Sequence, residues 1–91
     1  MKNNLMPLYY AIIKHFMDEK EYCAQDVIDS LAPNYSNYKL LNRKDVEEAL
    51  ATAKENGLLE ESNYDLDNEG NLRIYYRVTE FGKEMIGKYL S

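Results

Sequence analysis

Apolar side chains recur along this chain at two different spacings, and the change from one to the other organises it. Leu5, Leu8, Tyr9, Ile12, Ile13 and Phe16 fall three or four residues apart, the spacing of one helix face. They predict a first helix over 6–18, with Pro7 in its first turn, where a missing N–H costs no intrahelical bond. After the charged run Asp18-Glu19-Lys20-Glu21, Tyr22 is expected in a strand of one or two residues. Ala24, Val27, Ile28 and Leu31 then predict a second helix over 24–31, which Pro33 is expected to stop. Residues 32–41 read as an irregular linker that carries Tyr35, Tyr38 and Lys39 to the start of the next helix.

That third helix, over 43–56, has both ends written into the sequence. Asn42 stands at the N-cap with Asp45 three residues on, an approximate capping box. Val46, Ala49, Leu50 and Ala53 form its apolar stripe, and Arg43, Lys44, Glu47, Glu48 and Lys54 face outward. Gly57 supplies the left-handed residue that closes it, and Leu58 folds back on the last turn. Beyond Gly57 the period drops to two. Leu72, Ile74, Tyr76 and Val78 alternate strictly, and with Leu58, Leu59, Tyr64 and Leu66 before the Asp67–Asn71 turn they predict a β-hairpin over 58–78. Glu60 to Asn63 break the alternation, so a bulge is expected near the start of the first strand. Thr79 caps a last helix over 80–90 with Phe81, Met85, Ile86, Tyr89 and Leu90 as its apolar members, and Gly82 allows a close approach. The fold class is α+β, a single domain with a three-helix core, a two-stranded hairpin and a C-terminal helix.

Composition narrows the chemistry. The 91 residues carry a net charge of −5 and a sequence pI near 4.8, which argues against a strongly basic nucleic-acid protein, because Lys and Arg supply most phosphate affinity. A single cysteine and a single histidine exclude an internal disulfide and make a metal site improbable; no cofactor is expected. A reducing cytoplasm suits this cysteine usage, and the interrupted apolar start reads as neither a leader nor a membrane span. Cys23 is expected to act as a small hydrophobe at a helix start rather than a redox sensor, since a reactive thiol needs a nearby cation or an exposed helix end. His15 is expected as a helix residue at the edge of the apolar stripe. The acid pairs Glu47-Glu48 and Glu60-Glu61 lie among polar neighbours, with no phosphate loop and no nucleophile spaced to a base, so an enzyme is not expected.

Three strings carry a likeness: Arg43-Lys44-Asp45-Val46-Glu47-Glu48-Ala49-Leu50, Asn56-Gly57-Leu58-Leu59, and Tyr76-Arg77-Val78-Thr79-Glu80-Phe81-Gly82-Lys83. With the order of elements they resemble the small winged helix-turn-helix transcriptional regulators, the MarR-like and PadR-like proteins of bacteria, phages and archaea. The resemblance implies a third helix in the major groove of duplex DNA, the hairpin as a wing along the backbone, and a homodimer through the first and last helices. Tyr9, Tyr10, Phe16, Met17, Tyr89 and Leu90 are the apolar side chains expected at that dimer contact.

The residues expected to touch DNA are Tyr38, Lys39, Arg43, Lys44 and Glu47 around the third helix, and Arg73, Tyr75 and Arg77 on the outer face of the wing. Lys39, Arg43, Lys44, Arg73 and Arg77 are the cations available to phosphates, while Glu47 is placed to accept from a cytosine amino group. Between residues 43 and 55, however, three bases face four acids, and the stretch from Glu55 to Asn71 holds six acids and no base. The expected function is therefore a DNA-reading transcriptional regulator, and the alternative is an acidic winged-helix module that binds protein instead.

Overall fold

The computed structural model of the chain describes residues 7–35 and 41–89. Expectations placed on Leu5, Tyr38, Lys39 and Leu90, and on the Tyr89 side chain, lie outside the described residues. The elements run α1 (Leu8–Lys14), a 3₁₀ turn (His15–Asp18), α2 (Ala24–Tyr35), α3 (Arg43–Glu55), β1 (Leu59–Leu66), β2 (Leu72–Val78) and α4 (Glu80–Tyr89). Among the described residues this is an α+β arrangement of four α-helices and one two-stranded antiparallel sheet.

Three boundaries differ from the sequence reading. Pro7 is the N-cap of α1 rather than a first-turn residue. The first helix also tightens at His15 into the 3₁₀ turn, which Glu19 ends in the left-handed region at φ 67°. That turn drives Phe16 into the core with no exposure, and the His15 ring stacks on Tyr22 at 4.4 Å between centroids. The third difference is Pro33, which lies inside α2. Its missing N–H forfeits one helical bond to Asp29, but both residues are exposed, where an unpaired carbonyl costs little. Two residues further on, Tyr35 is 4% exposed in the core, and its burial outweighs the lost bond. So residues 32–35 continue the helix instead of opening the linker, and Tyr35 packs inside.

The ends of α3 are as the sequence predicts. The Asp45 N–H donates to Asn42 Oδ1 at 2.9 Å and Asn42 Nδ2 returns a bond to Asp45 at 2.8 Å. Gly57, at φ 83°, donates to Lys54 O while Leu58 N–H reaches Ala53 O at 2.9 Å, the paired closure of a Schellman turn. Val46, Leu50 and Ala53 are fully buried against Ile12, Ile13, Phe16 and Val27. Burial of each Val, Leu or Ile side chain of this set stabilises the fold by about 1.5–3 kcal/mol.

Tyr22 forms a single antiparallel bridge to Tyr76, with both backbone bonds at 2.9–3.0 Å. Within the sheet, Leu59 faces Val78 and Leu66 faces Leu72, and Ser62 is the extra residue of a bulge between Glu61 and Asn63. The far turn is held by Asp67, whose Oδ1 accepts from the N–H groups of Glu69 and Asn71 at 2.9 and 2.8 Å. These bonds keep the Asp67 carboxyl below its ordinary value.

At the near end, Thr79 Oγ1 donates to Gly57 O at 2.6 Å and accepts from Gly82 N–H at 2.9 Å. Gly82 here approaches so closely that a Cβ would sit 2.2 Å from the Leu58 carbonyl oxygen. The turn after α3 and the first turn of α4 are thereby clamped together.

Candidate functional site

Of the cations predicted to meet phosphates, the described ones except Lys44 are engaged by acids. Arg43 Nε donates to Glu47 Oε2 at 3.0 Å, and its Nη1 reaches Gln25 Oε1 at 3.4 Å. On the hairpin the pairs run across the strands, because register places Asp65 opposite Arg73 and Glu60 opposite Arg77. Arg73 holds Asp65 through two bonds of 2.8 Å, a bidentate geometry. Tyr75 Oη donates to the same carboxylate at 3.2 Å, and the Arg73 guanidinium lies 6.0 Å from the Tyr75 ring centre. The Arg73 guanidinium holds the Asp65 carboxyl below the usual carboxylate range, and Asp65 in turn raises Arg73. Arg77 Nε donates to Glu60 at 3.1 Å. Lys54 of α3 takes Glu61 at 2.9 Å, its ammonium raised by that bond. Lys44 is exposed at the start of α3.

The fold brings Arg43, Glu47 and Arg73 to one cleft of about 250 Å³ between the starts of α2 and α3 and the sheet, floored by Cys23, Leu50 and Tyr76. Cys23 is 4% exposed, and its N–H donates to the Asp26 carboxylate at 3.1 Å, which satisfies the helix end the thiol does not cap. Arg77 stands apart, in a polar hollow with Glu19, Thr79 and Lys83. Among the described residues no group of three or more His, Cys, Asp or Glu is placed to hold a metal ion. No helix among them is long and apolar enough to cross a membrane.

The sequence reading missed the surface at the far end of the hairpin. Tyr64 faces Ile74 and Leu66 faces Leu72, and directly opposed residues of antiparallel strands share a face. Tyr64, Leu66 and Leu72 are 73%, 64% and 56% exposed. Their alternation was visible, but it was read only as the pattern of a hairpin. At the expected dimer contact the balance differs too: Phe16 is wholly inside its own core, and among the described residues Tyr10 and Phe81 are the exposed large hydrophobic side chains of α1 and α4. Comparison with protein-family models and with curated proteins finds no match to this chain.

Proposed function

We propose that this chain is a winged-helix module that recognises another protein, with the hairpin as its wing and main contact surface. The element order and the Tyr22 bridge beside β2 support the winged-helix reading. The observation that carries the function is the pairing of Arg43, Arg73 and Arg77 with Glu47, Asp65 and Glu60, next to an unpaired apolar block on the hairpin. A phosphate backbone arriving at these arginines meets a carboxylate with each one, and must displace it or suffer its repulsion. A protein surface of opposite charge meets no such conflict.

A second reading has one observation in its favour. Arg43 and Lys44 are both exposed in the first turn of α3, where a DNA-reading transcriptional regulator, acting as a homodimer, makes its base contacts. Surface ion pairs are weak, about 0–1 kcal/mol, so phosphates compete for Arg43.

Gel-shift titrations on random duplex DNA separate the readings. In the protein-recognition reading, wild type binds DNA negligibly and Glu47→Gln with Glu48→Gln does not create binding. In the DNA reading that variant gains affinity and Arg43→Ala with Lys44→Ala abolishes it. DNA affinity that falls against salt with a log–log slope of about −4 to −5 per protomer, and vanishes in the alanine pair, overturns the protein-recognition reading.

A further inference from the structure

We infer that the apolar face of the hairpin takes a cationic, apolar-striped segment of a partner protein, which lies along Tyr64, Leu66, Leu72 and Ile74. The inference rests on the protein-recognition reading and names the chemistry of the partner. Leu72 and Ile74 line two adjoining hollows, the cleft against α3 and a shallower one of about 550 Å³ shared with Glu61, Ser62, Asn63 and Tyr64. The two hollows share Leu72 and Ile74 as walls, so a segment lying over these side chains borders both. Three of the five large hydrophobic side chains left exposed among the described residues lie on this face, so the apolar exposure is concentrated rather than scattered.

Charge decides the occupant. From Leu59 to Val78 the hairpin carries Glu60, Glu61, Asp65, Asp67 and Glu69 against Arg73 and Arg77, and both arginines are already spent on Asp65 and Glu60. A second copy docking face to face brings two such acidic hairpins together within a Debye length, where like charges are poorly screened. Duplex DNA is repelled for the same reason. A segment with a Leu or Phe stripe flanked by Lys or Arg covers these side chains and meets Asp67 and Glu69 at its end with complementary charge, which sets both partner choice and encounter rate.

Fluorescence anisotropy with three labelled peptides tests this: a leucine–lysine amphipathic peptide, its leucine–glutamate counterpart, and a lysine-only peptide. The wild-type chain should bind the first selectively. Tyr64→Ser with Leu72→Ser should weaken it by at least about tenfold, the loss expected when two anchors leave a contact. Asp67→Asn with Glu69→Gln should weaken it by about threefold and flatten its salt dependence. Tyr64, Leu72 and Glu69 are exposed and Asp67 is half-buried, where the amide oxygen of an Asn side chain can still accept the two N–H bonds of the turn, so melting curves that match wild type exclude misfolding. Binding that ignores the serine pair, or a lysine-only peptide bound as tightly, overturns the site. A leucine–glutamate peptide bound better through the same residues overturns the partner chemistry and leaves protein recognition standing. Absence of binding to all three overturns the inference, and protein recognition itself falls only if random DNA is bound through Arg43 and Lys44.

Discussion

The two ends of the hairpin obey one sequence rule and reach opposite outcomes. At the base, Leu59, Tyr76 and Val78 are 2%, 8% and 7% exposed. At the tip, Leu66 and Leu72 stand in water although they occupy the same alternating positions on the same face. The helices cover the sheet only as far as Ile74, so alternation announces which face is apolar without saying how much of it finds a cover. Burial belongs to the neighbour, not to the strand.

The sharpest test exchanges the same substitution between the two ends. Leu59→Ala should lower stability by about 2–5 kcal/mol, the usual cost of emptying a core leucine site. Leu66→Ala should stay within about 0.5 kcal/mol, as for an exposed side chain. Urea denaturation measures both, and equal costs would show the tip to be covered in solution. Next in size is the clamp at the base. Gly82→Ala forces a methyl group toward the Leu58 carbonyl and a Val78 methyl that would lie 2.9 Å away. Thermal melting should show a loss of about 1–3 kcal/mol, in the range of overpacked sites.

The smallest effect concerns two carboxylates of the hairpin, Asp65 on its outer face and Asp67 in its far turn. Asp65 and Asp67 titrate below their ordinary 3.8 in the fold. Their contribution is therefore present above the unfolded value and is lost as pH falls through 3.8 toward the folded one. Between about pH 5 and pH 3 the Tm of wild type should fall more steeply than that of Asp65→Asn. Parallel declines would show that the bidentate contact to Arg73 adds nothing to the hairpin.

Legibility followed the range of the interactions involved. Asn42, Asp45, Gly57 and Leu58 declared both ends of α3 because a cap and its partner lie within one turn of sequence. The hairpin, its bulge and the Thr79 cap were equally local. Pro33 misled because its cost is local while the compensating burial of Tyr35 depends on packing against other helices. The break in the first helix at His15 was hidden for a similar reason, since Tyr22, which stacks on that ring, is brought there by its bridge to β2. The candidate site was half legible. Arg43, Arg73, Tyr75 and Arg77 fall on the predicted surfaces. Arg43 takes Glu47 within one helical turn, whereas the acids that Arg73 and Arg77 take follow the strand register, and the broken alternation at Glu60 to Asn63 announces a bulge without fixing its one-residue step at Ser62.

The bridge between Tyr22 and Tyr76 also bears on how the chain comes into being. A ribosome delivers Tyr22 and all three helices of the core before β2, so the backbone groups of Tyr22 lack their bridge partner until residue 76 follows. The emerging helices make local contacts at once, but the N-terminal half is stitched to the sheet only when residue 76 has left the exit tunnel. A chain stalled inside the hairpin keeps its helices and lacks that seam. Its first helix then has no strand to hold the turn at His15, and the stretch from His15 to Tyr22 is where a protease should find it.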